Sequence, residues 1–423
     1  MEEQNLKNLF LKFNINGYIN IFNNSSKTIS YTALGDETSF QNNIEKETKI
    51  ILIKDGKKLC LKTKDSNYDN LEKLIEANID FINLTNVDEE NLVPEIKENE
   101  EFDEKKFDIN AINAEFLQKQ LNTIKSYSYA KNVNMESMSY SVEDEERVFI
   151  NSFGSIKKYS KTSCFYYLEL FYNSPQTSDT DYEMKSCANL AEISVDFVKN
   201  IEKKLLDKTN PQKAEIESQK HTITLKNKVV VSFLEELMGS LFGENIRQKM
   251  SFIKKDQIGQ KIISDKLSLV SNPQIPNSCY NKRFDGEGFS TEKLDIINNG
   301  VLKNIFLDYK NSLKFNLRPT GNPTFSNLEV VGEFDKNYLK KSSFLFTNLM
   351  AFHNIDSTTG KFALEGEGFE IKSGKIDKFV KNVSISGNVL DLFQNIECLG
   401  DDIYINSNVR TPSITFANQY IVV

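Results

Sequence analysis

Apolar residues recur along this chain in two rhythms. Over residues 109–126 they fall at Ile109, Ile112, Phe116, Leu117, Leu121 and Ile124, the spacing that gathers side chains on one face of a helix. Residues 190–206 repeat it through Ile193, Phe197, Ile201 and Leu205. Between these two predicted amphipathic helices the pattern changes. Segments 133–140, 147–153 and 157–172 are rich in Tyr, Phe, Val and Ser and predict strands, with a turn at Gly154. The last of the three is long enough to expect curvature or a bulge.

Three dipeptides, Asp55-Gly56, Asn299-Gly300 and Ser373-Gly374, sit between β-patterned flanks. Such pairs tolerate the positive φ of a tight type I′ turn, so the strands around them are predicted to be antiparallel. The acidic, Pro-containing stretch 88–104 predicts a solvated connection, and 207–217, with Asn210-Pro211 inside it, predicts a boundary. The chain is therefore divided into an N-terminal α/β region (1–105), an α+β region continuing the same domain (106–215) and a β-rich, mainly antiparallel C-terminal domain (216–423). Helices in the last part are expected at 231–242 and 338–352. With no sustained βαβ alternation, the predicted class is α+β.

At 423 residues, 39% of them hydrophobic, the chain can bury more than one core. A net charge of −8 and the lack of a dense Lys/Arg stripe argue against nucleic-acid binding. The first residues form no secretory pattern and no apolar run approaches a membrane span, so a cytoplasmic protein without a membrane partner is expected. Five cysteines, Cys60, Cys164, Cys187, Cys279 and Cys398, include no C-x-x-C pair and predict buried free thiols rather than a disulfide framework or a zinc knuckle.

Candidate chemistry concentrates in 229–300. The hexapeptide Glu235-Glu236-Leu237-Met238-Gly239-Ser240 lies in a predicted helix. Its two glutamates are read as opening that helix, where carboxylates meet the positive end of the dipole. The chain has only two histidines, His221 and His353, far apart and without evident partners, and both are read as packed or surface residues. The near-identical pentapeptides 285–289 and 365–369 lack the context of a phosphate or calcium loop and are read as turns beside exposed strand edges. Asp401 and Asp402 show no ligand spacing.

An ordered series of short motifs carries a family resemblance. It runs through Gln257-Ile258-Gly259-Gln260-Lys261, Arg283-Phe284-Asp285-Gly286-Glu287-Gly288, Ile296-Ile297-Asn298-Asn299-Gly300-Val301-Leu302 and Pro319-Thr320-Gly321-Asn322, then Thr359-Gly360-Lys361-Phe362, Glu367-Gly368-Phe369, Ser373-Gly374-Lys375 and Ile385-Ser386-Gly387-Asn388. Together these resemble the TldD/PmbA family, the modulator of DNA gyrase family; the upstream helix and the Asn151-Ser152-Phe153-Gly154 turn extend the resemblance back to about residue 105, and the first hundred residues match only loosely.

That resemblance implies a two-subunit cytoplasmic peptidase in which a TldD subunit carries zinc on an H-E-x-x-x-H helix plus a later cysteine, and a TldE (PmbA) subunit lacks these ligands. This sequence resembles the TldE side. Glu235 and Ser240 stand where the histidines would be, Glu236 where the glutamate would be, and Asn406-Ser407-Asn408 near the cysteine position. A metallopeptidase helix needs neutral imidazoles to hold zinc. The implied function is a non-catalytic subunit of a heterodimer that acts on unfolded or extended peptides and peptide precursors. Zinc is expected in the TldD-like partner and no cofactor in this chain; the alternative is a stand-alone, homodimeric peptide-binding or regulatory scaffold. Arg283, Asp285, Glu287, Thr320 and Asn322 are the candidates for shaping a shared groove or interface.

Overall fold

The computed structural model describes residues 2–321 and 327–423. The chain opens with α1 (Glu2–Lys12), β1 (Asn16–Thr32), β2 (Glu37–Lys54), β3 (Lys57–Thr63) and α2 (Tyr68–Asn78). Next come β4 (Glu100–Glu104), α3 (Ala114–Lys125), β5 (Val133–Asn151), β6 (Ile156–Asn173), β7 (Ser178–Cys187) and α4 (Val195–Asp207). The strands form one sheet in the order β3-β2-β1-β5-β6-β4, with β7 also paired to β6. Every pairing in it is antiparallel except β4 on β6. Strands on both sides of residue 105 share this sheet.

Side-chain alternation explains the packing of this sheet. Ile50 and Leu52 pack with Leu71 and Ile75 of α2, whereas Ile51 and Ile53 pack with Tyr18, Phe149, Tyr159 and Phe284. The unbroken apolar run at 50–53 thus belongs to a strand covered on both faces. Further along, α3 and α4 cover Tyr140, Val142, Tyr166 and Leu168. Side-chain caps fix both helix starts: Asn113 accepts from Phe116 N and Ser194 from Phe197 N.

The remainder begins with β8 (Lys220–Leu225), α5 (Asn227–Gly239), α6 (Gly243–Arg247), β9 (Ser268–Ser271), β10 (Leu294–Asn298) and β11 (Val301–Leu302). It continues through α7 (Tyr309–Phe315), β12 (Leu328–Val331), β13 (Phe344–Met350), β14 (Lys361–Lys372) and β15 (Lys375–Asn388). The last elements are α8 (Val389–Gln394), β16 (Ile396–Leu399), β17 (Val409–Arg410) and β18 (Ile414–Val422). One sheet runs β15-β14-β13-β8-β18-β16, and an extra β15–β18 pairing, Ser384 opposite Val422, closes it into a barrel. A second sheet runs β11-β10-β9-β12-β17. Residues of both sheets and of α5 share one large core. The fold class is α+β.

The three predicted turns are all present. Asp55/Gly56, Asn299/Gly300 and Ser373/Gly374 each have positive φ at both residues, and each joins an antiparallel pair. Other expectations need correction. The acidic gap at 141–146 is not a break, because β5 runs through it with Glu145 paired to Arg147 and Lys161. The helix expected at 338–352 is a 3-10 turn, Tyr338–Lys341, followed by β13. A bulge between Phe346 and Asn348 puts Phe344, Phe346 and Leu349 on the inside, which imitates helical spacing. Residues 365–369 are not a turn but the middle of β14, where a Cβ on Gly368 would lie 1.9 Å from Leu345 O. Cys164 and Cys398 are buried, but Cys60 is exposed.

Candidate functional site

The helix carrying the hexapeptide starts earlier than its sequence suggests, at Asn227. Its first turn is pinned to the 402–413 segment. Lys226 Nζ lies 2.6 Å from Asp402 Oδ2, Asn227 Nδ2 donates to Asp402 O at 2.6 Å, and Asn227 N donates to Ser413 Oγ at 3.1 Å. Asp402 also accepts from Ser413 N and Ser413 Oγ. Its carboxylate is thereby committed to fixing the helix start.

Glu235 and Glu236 consequently sit in the last turn of α5, not the first, which overturns the dipole reading. Carboxylates there face the negative end of the helix. Protein mass around them raises both carboxyls, although Glu235 reaches solvent, and the charge of Glu236 adds to the rise at Glu235. Ser240 is buried in the C-cap, where its hydroxyl donates to Leu237 O at 2.6 Å and its N–H to Glu236 O at 3.1 Å.

The fold gathers other residues beside the end of this helix. Ser186 Oγ at the end of β7 lies 3.1 Å from Tyr280 Oη and donates to Asn406 O at 3.2 Å. The Tyr280 hydroxyl is raised chiefly by burial, with contributions from Cys279 and Glu235. Ser407 Oγ accepts from Val409 N at 3.1 Å. The hexapeptide, the 279–281 segment and the 406–408 segment therefore converge. The side chains do not suit zinc: a capped serine hydroxyl, a surface carboxylate and an amide carbonyl replace imidazole and thiolate donors. Among the described residues no three His, Cys, Asp or Glu side chains are grouped to hold a metal ion.

Arg283, Asp285 and Glu287 are brought together on the seam between the N-terminal sheet and the C-terminal part. Arg283 Nε donates to Glu104 Oε1 of β4 at 2.6 Å, and its guanidinium lies 4.8 Å from the centre of the Phe102 ring. It edges a hollow of about 360 Å³ that also involves Tyr159, Lys161 and Asn281. Asp285 Oδ1 accepts from Glu287 N at 2.8 Å and Phe289 N at 3.0 Å, while its buried Oδ2 has no hydrogen-bond partner among the described residues. Glu287 Oε2 accepts from Tyr309 N at 2.6 Å. Burial pushes Asp285 up to about 6, against the pull of its backbone donors. Burial, and then the charges of Asp285 and Asp308, push Glu287 up to about 7. Tyr18 of β1 is raised by its own burial and by these carboxylates. Gly288 permits the approach, since a Cβ there would lie 2.3 Å from the Phe149 ring, at φ +87°.

Thr320 is buried, its hydroxyl 3.2 Å from Leu307 N. Asn322 lies outside the described residues. His221 opens β8 and bonds Glu217 O through Nε2 at 2.8 Å, and His353 lies in a 3-10 turn. The sequence reading missed the acidic edge of β7. Asp179, Asp181 and Glu183 alternate along the strand and pair with Lys381 at 2.6 Å, Lys208 at 2.7 Å and Lys228 at 2.8 Å. Their period of two was the available signal.

Residues 218–422 match the PmbA/TldA metallopeptidase C-terminal domain. A metalloprotease PmbA of Escherichia coli O157:H7 is 25% identical over 297 residues, an alignment covering 68% of this chain and 65% of that protein. A PmbA homologue of Buchnera aphidicola is 24% identical over 430 residues, 96% of this chain and 93% of that protein. Among solved structures, a Bacteroides thetaiotaomicron protein described as a modulator of DNA gyrase has TM-score 0.88 at 21% identity, covering 99% of this chain and 98% of its own. TldE from Thermococcus kodakarensis has TM-score 0.83 at 19% identity over the whole of both chains. The sequence matches and the shared fold define a metallopeptidase-like protein. More particularly, residues 218–422 carry the PmbA/TldD family domain, and the chain is similar in sequence to PmbA homologues.

Proposed function

We propose that this chain is the metal-free, TldE-like subunit of a heterodimeric zinc peptidase, and that a TldD-like partner supplies the metal. The observation that carries the reading is the state of α5. The helix remains enclosed in the core through Val230, Phe233, Leu234 and Leu237, each 0% exposed, while Ser240, at the place of a ligand, spends its hydroxyl on capping the helix. A scaffold preserved around a site without donors fits a structural and substrate-confining role better than a lone hydrolase.

Extended or unfolded peptides and peptide precursors are the substrate class we assign to the pair. Closure of the barrel pairs β15 with β18, so the open strand edges favour the N-terminal sheet. Residues 37–47 of β2 pair only with β1 among the described residues, because β3 covers just 48–54. Such an edge accepts an extended chain through main-chain hydrogen bonds with little regard to sequence. A cytoplasmic location completes the proposal; among the described residues no helix is long and apolar enough to cross a membrane.

Co-expression with a TldD-like protein from the same genome, followed by sizing and native mass measurement, tests the pairing. A one-to-one complex supports it. A monomer or homodimer that ignores that protein overturns it, and the homodimer would favour a stand-alone scaffold.

A further inference from the structure

Two of the five cysteines meet where neither the metal-free site nor the peptidase role requires them. Cys164 of β6 and Cys187 of β7 are direct cross-strand partners in the antiparallel register. Residues opposed in this way have Cα atoms about 4.5 or about 5.5 Å apart, and a disulfide needs roughly 4.4–6.8 Å. The two thiols are near enough for each to shift the ionisation of the other. Cys187 Sγ also lies 3.9 Å from Cys164 O and 3.1 Å from Asn189 O. Cys164 Sγ lies 3.2 Å from Tyr140 Oη, at the floor of the α4-covered core. Cys164 is buried and Cys187 half-buried, so the pair is approached from the Cys187 side.

We propose that Cys164 and Cys187 form a reversible disulfide, making the β6–β7 edge a thiol-redox site. Hydrogen peroxide is a sufficient two-electron oxidant. A thiolate sulfur of the pair attacks one peroxide oxygen; an S–O bond forms, the O–O bond breaks, and the departing hydroxide takes a proton to become water. The second sulfur then attacks the sulfenic sulfur; the S–S bond forms, the S–O bond breaks, and a second water leaves with the remaining thiol proton. One peroxide is reduced to two waters, two thiols are oxidised to one disulfide, and the sum is the same whichever sulfur reacts first. A dithiol reductant reverses it by exchange. The surroundings favour a thiolate in the pair, since the Cys187 thiol and the Tyr140 hydroxyl hold Cys164 down to about 7.

The location gives the bond a consequence. β7 carries the acidic residues that grip Lys381, Lys208 and Lys228, and Ser186, next to Cys187, touches both Tyr280 and Asn406. Oxidation would fasten covalently the strand that ties the N-terminal sheet to the barrel and borders the end of α5.

Tryptic mapping of the full chain tests this directly. Cleavage at Lys161, Lys185 and Lys199 places the two cysteines in separate peptides, 162–185 and 186–199. After mild peroxide and alkylation, the expected result is a joined 162–185/186–199 species that falls apart on reduction, with an intact mass lower by two hydrogens. Cys187→Ser and Cys164→Ser should abolish that species, and Cys60→Ser and Cys279→Ser should leave it. Separate peptides carrying sulfinic acid, or cross-links through Cys60 or Cys279 instead, would overturn the proposal. The wild-type map decides the matter even if a serine variant fails to fold.

Discussion

Lys157, only 2% exposed, places its ammonium 3.2 Å from Glu100 of the adjoining parallel strand and 2.7 Å from Ser290 Oγ of the C-terminal part. Ser290 Oγ in turn lies 2.9 Å from both Glu100 oxygens. One buried cation therefore joins β6, β4 and the loop that carries Asp285 and Glu287. Removing one member of such a group leaves an uncompensated buried charge, and that costs more than the pair contributes. Glu100→Gln is expected to destabilise the chain by about 3 kcal/mol, read as a lower urea midpoint with an unchanged m-value.

Asp285 and Glu287 set a pH dependence of unusual sign. Both carboxyls are raised in the folded protein, so it holds protons that the unfolded chain releases near pH 4. Their contribution is fully favourable below the ordinary carboxylate range and is lost as pH rises through about 6 and about 7. Asp285→Asn, which keeps an oxygen for the two backbone donors, should therefore stabilise the protein at pH 8 by on the order of 2 kcal/mol. The gain should shrink towards pH 5. Thermal melts across that interval check the sign; a gain that grows as pH falls would contradict it.

The β7 clamp is testable at one residue. Lys208 is enclosed between Asp181 and Glu367, which lies farther away at 3.6 Å. Asp181→Asn should cost about 2 kcal/mol and speed amide exchange along β7, leaving the barrel strands protected. Uniform acceleration across both parts would mean that the clamp does not act locally.

Two glycines with opposite surroundings calibrate the barrel. Gly368→Ala forces a methyl onto Leu345 O and should disrupt the β13–β14 pairing, costing more than about 4 kcal/mol. Gly239→Ala meets nothing within 4 Å among the described residues at the end of α5 and should stabilise by up to about 1 kcal/mol. Denaturant titration of both variants measures the contrast.

What could be read in advance followed from local chemistry. Asp55-Gly56, Asn299-Gly300 and Ser373-Gly374 announced their turns because both residues of each adopt positive φ, a demand met by few residue types. Strand limits were less legible where tertiary pairing overrode local pattern. The acidic residues at 141–146 read as a gap, although Lys161 and Arg147 neutralise Glu145 within the sheet. The hexapeptide was placed on a helix but at its wrong end, because the β-branched run Val229, Val230, Val231 conceals a helix beginning at Asn227. The convergence of Glu235, Tyr280 and Asn406 depends on contacts between residues far apart in sequence, such as Ser186 with Tyr280 and Asn406, which no local spacing records.

The zinc content of the isolated chain bears most directly on the central claim. Purified alone, equilibrated with zinc and desalted, the protein should retain no stoichiometric metal and should not cleave an unfolded peptide, whereas its complex with a TldD-like subunit should carry one zinc and lose activity to a chelator. One tightly held zinc per isolated chain, together with chelator-sensitive peptide hydrolysis, would contradict the account.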